Sequence, residues 1–235
     1  MTTPWLSKFF PPEVFACVTN RSINFALPKK GKPFGQKQKR FLSSLFSKTD
    51  VPIINVRQVH GRRIVTATPR YLKKGKIVEA DGVITNVLNL PIAVRTADCL
   101  SVFIFDPKKK AIGLVHAGWK GTKKKIVPHA VRLMQRKFGS RLKDLKIAFG
   151  PSIRPCCYQV GKDFQKYFPK DVVHKPSGLC LDLPLANQRQ LTALGISKKN
   201  IFDCELCTFC GPGFFSFRRE GEKAGRMISL LMLRG

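Results

Sequence analysis

The sequence predicts a single α+β domain, and three observations carry that reading. Short apolar runs, Ile92 to Thr96, Ser101 to Phe105 and Ala111 to His116, read as strands covered on both faces. Helical spacing appears between and after such runs, most clearly over Val127 to Phe138. No linker long or polar enough to mark a boundary interrupts residues 1–235, so strands and helices share one core.

Taken in order, Glu13 to Asn20 reads as a first strand, and Pro28 to Gln38, basic and rich in Gly and Pro, as a loop. Phe41 to Phe46 looks like a short helix. Pro52 to Val56 is a strand leading into Gln58-Val59-His60-Gly61, with Ile64 to Ala67 as its expected neighbour. Asp81 to Asn86 opens the dense apolar series, whose last two runs are separated by the turn residues Asp106-Pro107. In the helix over Val127 to Phe138, Val127, Val131, Met134 and Phe138 share one face, and Pro128 fits its first turn, where a missing N–H costs little. Lys146 to Phe149 is a strand. Asp163 to Phe168 and Leu185 to Leu194 read as helices, with Gly195 as a stop for the second. Asn200 to Asp203 and Phe214 to Phe217 are short apolar runs, and Met227 to Met232 fits a helix or a strand equally well.

The chain has 235 residues and is 43% hydrophobic, enough for a proper core. No apolar stretch approaches the roughly 20 residues a membrane helix needs. Met1 to Pro12 has no basic segment followed by a long apolar one, so a cytoplasmic protein without membrane association is expected. In that setting the eight cysteines read as thiols or ligands rather than a disulfide framework. The formal charge of +29 attracts anions such as nucleic acid, nucleotides and phosphate. The lysines, however, come in scattered short runs (Lys29-Lys30, Lys73-Lys74, Lys108 to Lys110, Lys123 to Lys125, Lys198-Lys199), mostly where turns or helix starts are expected. That scatter favours a solvated surface, and no specific nucleic-acid partner is expected.

His60, Cys99 and His116 each lie at the edge of an apolar run. Two imidazoles and a thiol suit a zinc ion with one open coordination place, which separates a catalytic zinc from a structural one. The bland alternative is a pair of satisfied core histidines and an inert buried cysteine. Asp98 precedes Cys99, and strand alternation points it away from the cleft. If a bend brings it round, it serves as a general base or orients a histidine; otherwise it binds local turn amides. Cys204, Cys207 and Cys210 form C-x2-C-x2-C, a spacing that suggests a zinc knuckle or part of an iron–sulfur site; Cys156-Cys157 can in principle supply another ligand, but the spacing fails the bacterial iron–sulfur pattern, and buried thiols near a pocket are the simpler reading. Arg21 and Arg218-Arg219 sit at expected strand ends, suited to clamping phosphate or to pairing with acids such as Glu220 or Glu222. Gly118-Trp119-Lys120-Gly121 precedes the helix, where backbone N–H groups can approach an anion. His129 and His174 read as bland helix and loop residues.

These segments together resemble one family, the YfiH-like laccase-domain proteins, once called multicopper polyphenol oxidoreductases and now regarded as purine nucleoside enzymes. The likeness rests on Gln58-Val59-His60-Gly61, Ala80-Asp81-Gly82, Ala93 to Cys99, Val115 to Thr122, Gly150 to Ile153 with Pro155-Cys156-Cys157-Tyr158, Leu181-Asp182-Leu183, Cys207-Thr208 with Cys210, Phe214 to Arg219, and Gly225-Arg226-Met227. The resemblance implies mixed β-sheets flanked by helices, a fold likened to a cysteine-hydrolase toxin. It implies zinc on His60, Cys99 and His116. It also implies phosphorolysis of adenosine, inosine, guanosine and methylthioadenosine, with deamination of adenosine. Zinc lowers the pKa of bound water to about 7, which suits attack at C6 of adenine. Arg21, Lys120 and Arg218 are the candidates for holding phosphate, and Asp98 joins His60, Cys99 and His116 as a catalytic candidate. Arg154, Gln159 and Lys120 depart from the family's usual glycine, glutamate and arginine, and the segment Pro28 to Gln36 is short and basic, which bears on selectivity rather than on the three ligands.

Three other functions compete. A metal-free hydrolase or deamidase would use Cys99 as nucleophile with His116 or His60 as base. Copper suits a His2Cys set, but a multicopper oxidase needs more histidines than the four present. A basic binding module would bind nucleic acid with steep salt dependence and no turnover. A monomer or homodimer acting on purine nucleosides and phosphate is the expectation.

Overall fold

The computed structural model describes residues 4–26, 34–46, 52–68, 78–176 and 178–235. Two sheets form its centre. One has four strands in the order β1-β12-β5-β2: β1 (Val14–Val18), β2 (Ile54–Asn55), β5 (Ile92–Thr96) and β12 (Met227–Leu233). The other has six, in the order β11-β8-β6-β7-β4-β3: β3 (Ile64–Thr66), β4 (Gly82–Thr85), β6 (Leu100–Asp106), β7 (Ala111–Ala117), β8 (Lys146–Phe149) and β11 (Ile201–Asp203). Both sheets mix parallel and antiparallel pairs, so the α+β reading with mixed sheets holds.

Side-chain alternation assigns each face of each sheet to a different core. In β6, Leu100, Val102 and Ile104 point to one side, where they meet Val127, Ala130, Val131 and Met134 of the helix Ile126–Phe138 and Leu191 of the helix Leu183–Leu194. Phe103 and Phe105 point to the other side, against Ile92 and Val94 of β5 and Met227 and Leu231 of β12. The alternate residues of those strands, Ala93, Ile228 and Leu230, face outward onto Phe25 and Leu42, the latter on the helix Gln36–Phe46. The result is four layers: helix, sheet, sheet, helices. Every residue of β6, β7 and β12 is buried, which is why these strands read as continuous apolar runs instead of alternating ones.

Several sequence expectations are corrected. Ile64–Thr66 does not pair with Ile54–Asn55; it pairs in parallel with β4 in the other sheet, because the loop carrying His60 crosses between sheets. The helix expected over Phe41 to Phe46 begins earlier, at Gln36, so the loop reading of Pro28 to Gln38 fails at its end; residues 27–33 lie outside the described residues, as do Lys29-Lys30 and Lys73-Lys74. Met227–Leu233 is a strand, fixed by pairing with β1 on one side and β5 on the other. Phe217–Glu220 is a helical turn capped by Ser216, whose hydroxyl accepts the Arg219 N–H, so Arg218 and Arg219 do not end a strand. His174 lies on β9 (Val172–Lys175), in a two-stranded ribbon with β10 (Gly178–Leu181). The Leu183–Leu194 helix starts where Asp182 accepts the Leu185 N–H and stops at Gly195, whose φ of 107° suits glycine. Among the described residues, no helix is long and apolar enough to cross a membrane.

Phe103 lies fully buried at the contact of the two sheets. Phe103→Ala is expected to lower unfolding free energy by about 3–5 kcal/mol, read from the urea midpoint at unchanged slope.

Candidate metal centre and anion cleft

The chain passes from the four-stranded to the six-stranded sheet at two places, and each carries a candidate ligand. His60 lies between β2 and β3, and Cys99 between β5 and β6. His116 comes from β7, opposite Ser101 in register. Ligand atoms of His60, Cys99 and His116 all lie within 4.8 Å of one another. Cys99 Sγ is 3.9 Å from His60 Nε2, and the two imidazole rings meet edge to face with centroids 4.8 Å apart. Three residues far apart along the chain thus converge on one point, with a donor set of borderline softness that fits a zinc-class ion.

The convergence depends on unusual backbone. Asp98 turns the β5–β6 corner with a φ of 83°, and His60 has a φ of 56°. His60 is held there by Asp81, an acid buried at the start of β4. Asp81 Oδ1 accepts the His60 N–H at 2.9 Å, and Oδ2 accepts the N–H groups of Gly61 at 2.7 Å and Val59 at 3.3 Å. The same Oδ1 accepts from His116 Nδ1 at 2.9 Å, which leaves His116 Nε2 for the cluster. Gln58 adds a second clamp, exchanging hydrogen bonds of 2.7 and 2.8 Å with the Arg95 backbone. Gly118 is required by close approach: a Cβ there would lie 2.8 Å from Cys99 Sγ.

The electrostatics favour an ion pair. Burial pushes the Cys99 thiol up, but His116 and His60 beside it outweigh burial and bring it down to about 6. Burial opposes charge on His116 as well, and the Cys99 sulfur and the Asp81 carboxylate override it, raising the imidazole above its usual range. Asp81 would be raised by burial, yet His116 and the loop N–H groups hold it below the ordinary carboxyl value.

The three residues line a cavity of about 900 Å³. Arg57, Arg95, Arg218 and Arg226 line it, together with Trp119, Tyr158 and Glu222. The guanidinium of Arg95 is nearly buried; it donates to the Val56 carbonyl at 2.8 Å and to Asn55 Oδ1. Arg218 stands over the Tyr158 ring at 5.3 Å and donates to the Gln159 carbonyl. Such a cleft can bind an anion beside a metal site.

Of the other sequence candidates, Asp98 also lines the cavity, but it does not orient a histidine. Its carboxylate accepts from Thr208 Oγ1 at 2.6 Å, Ser216 Oγ at 3.1 Å and the Arg218 N–H at 2.6 Å, tying the far wall to the β5–β6 corner. Asp81 takes the orienting role. Arg21 lies outside the cavity lining, paired with Glu220 at 3.5 Å and stacked on Phe215. Lys120 also stands outside it, exposed beside Trp119. The sequence reading assigned no role to Asp81, Arg57, Arg95, Arg226 or Tyr158. Asp81 carried one signal, an acid at the mouth of an apolar strand; the arginines were indistinguishable among 43 basic residues.

Fold and site together define a four-layer α+β domain with a candidate metal centre where its two sheets exchange strands. The family model described as multi-copper polyphenol oxidoreductase laccase matches residues 23–234, and the chain belongs to that family. A purine nucleoside phosphorylase of Clostridium acetobutylicum is 30% identical over 90% of this chain and 91% of its own. A purine nucleoside phosphorylase of Aquifex aeolicus is 35% identical over 66% of this chain and 72% of its own. The crystal structure of YlmD from Geobacillus stearothermophilus aligns with a TM-score of 0.83 at 27% identity, covering 96% of this chain and 94% of that one. The YfiH-like likeness read from the sequence holds, and so do its mixed sheets flanked by helices.

Asp81→Asn is expected to weaken metal binding about 10- to 100-fold in competition with a chromophoric chelator, since the amide cannot accept from His116 and three backbone N–H groups at once. In protein stripped of metal, iodoacetamide should alkylate Cys99 with a midpoint at about pH 6, while Cys17, raised by burial to about 12, stays unmodified. Peptide mass spectrometry across a pH series reads both.

Proposed function

We propose that this protein is a metal-dependent purine nucleoside phosphorylase using zinc held by His60, Cys99 and His116, with deamination of adenosine as a second activity. The observation that carries the reading is the convergence of those three ligands in an arginine-lined cavity. The names of the relatives support the substrate class. The donor set also accepts copper, but four histidines in all do not suffice for a multicopper centre.

Phosphorolysis breaks the N-glycosidic bond as a phosphate oxygen bonds to the sugar carbon, and the purine leaves with a proton. Arg218 and Arg226 line the cleft without being buried and are suited to hold the phosphate; Arg57 and Arg95 add to the positive field. Trp119 and Tyr158 offer flat faces to the nucleoside. Asp81 keeps a proton on His116 Nδ1 and fixes the ring. Asp98 is a positioning residue that holds the Arg218 backbone in place. A bound zinc would supply Lewis-acid polarisation in the cleft.

One observation favours a second reading. The lowered Cys99 thiol beside a charged His116 is the pair a cysteine hydrolase needs. Chelation separates the two, because it abolishes the first activity and spares the second.

Purified protein incubated with inosine or adenosine should release free base and sugar phosphate only when phosphate is present, as followed by chromatography. His116→Ala should abolish this, and Arg218→Ala should lower kcat/KM for phosphate about 10- to 100-fold, the worth of one charged hydrogen bond. Zinc-loaded protein that leaves all purine nucleosides intact would sink the proposal.

A further inference from the structure

A second sulfur-rich centre lies apart from the first three ligands. Cys156 and Cys157 sit on the turn after Arg154, and Cys207 and Cys210 on a neighbouring turn. Their four Sγ atoms all lie within 4.8 Å of one another. Cys210 Sγ is 3.7 Å from that of Cys156 and 3.2 Å from that of Cys157. Four sulfurs each about 2.3 Å from a tetrahedral zinc stand about 3.8 Å apart, so small shifts close the set. The cysteines are exposed or half-buried, which leaves an entry path.

We propose that Cys156, Cys157, Cys207 and Cys210 form a tetrathiolate site for a zinc-class divalent cation. The backbone is already arranged for it. The Cys207 sulfur accepts backbone hydrogen bonds from Phe209 and Cys210, two and three residues on, and from Arg154 across the gap. N–H groups aimed at a sulfur stabilise its thiolate form and fix its direction. The turns that bear the ligands are joined by main-chain bonds, Ser152 N–H to the Leu206 carbonyl at 3.2 Å and Thr208 N–H to the Ser152 carbonyl at 3.1 Å. Cys204, the first cysteine of the C-x2-C-x2-C run, is outside the set. A thiolate complex of net negative charge also suits a chain of +29.

The site has a consequence for the cavity. The first turn carries Ile153 and Tyr158 into the cavity wall, and the second carries Thr208, which donates to Asp98. A cation bridging the two turns staples that wall. The inference is independent of the proposed activity, because it concerns other ligands and is read by metal content.

The test uses the full chain with His60 and His116 both changed to Ala, purified under reducing conditions with zinc supplied. About one zinc per chain should remain by elemental analysis, as a four-thiolate site requires. Adding Cys207→Ser and Cys210→Ser should remove it. Cobalt loaded into the His variant should give the intense thiolate-to-cobalt charge-transfer absorption of a four-sulfur site, a readout that does not depend on the serine variant folding. A His variant that holds no metal and shows no such band overturns the proposal. So does a disulfide between Cys157 and Cys210 that persists under these reducing conditions.

Discussion

One carboxylate holds the candidate centre together. Asp81, fully buried, accepts three backbone N–H groups from the His60 loop and one ring N–H from His116. An isolated buried carboxylate is costly, and a buried carboxylate with four donors is not. Without Asp81, His60 would have no reason to adopt a left-handed backbone, and His116 would have no fixed tautomer. The two ligands are therefore not independent, since one acid sets both. Cys99 joins them from the other crossing point, and Gly118 leaves the space that its sulfur occupies.

The four-layer arrangement explains why the centre forms where it does. A buried polar side chain is costly without a partner, so functional groups collect near strand ends, where the chain leaves one sheet for the other and partners are at hand. At the β5–β6 corner the chain turns within Ala97 to Cys99, and the turn aims Asp98 toward Thr208 and Ser216 while Cys99 faces the histidines. Neighbouring residues thus serve two purposes, one anchoring the cavity wall and one joining the histidines.

Much of this was legible in the sequence. Unbroken apolar runs at β5, β6 and β7 identified the central strands, and the helix at Ile126–Phe138 announced itself by spacing. His60, Cys99 and His116 stood out by type. The pairing of β3 did not, because parallel partners are chosen by tertiary packing and leave no local signal. For Asp98, alternation pointed away from the ligands and a bend was the alternative; the corner does bend, at a positive φ, yet the carboxylate faces Thr208 and Ser216 and not the histidines. Arg218 stood among the sequence candidates, whereas Arg57, Arg95 and Arg226 were hidden by abundance, and only the fold puts Arg218 in the cleft and Arg21 outside it. The short helical turn at Phe217–Glu220 arose from a serine cap, a weak cue beside an apolar Phe-Phe-Ser-Phe stretch.

The placement of β12 bears on how the molecule is made. Val14 pairs with Leu233 and Val18 with Ser229, so the strand nearest the start of the chain finds its partner only near the finish. On a ribosome, β1 waits with both edges unpaired until residues 227–233 are translated. Strand β5 likewise lacks its antiparallel neighbour until then. Closure of this sheet is a late, non-local event that waits for β12, and the nascent chain depends on its helix-covered six-stranded half to stay compact in the meantime.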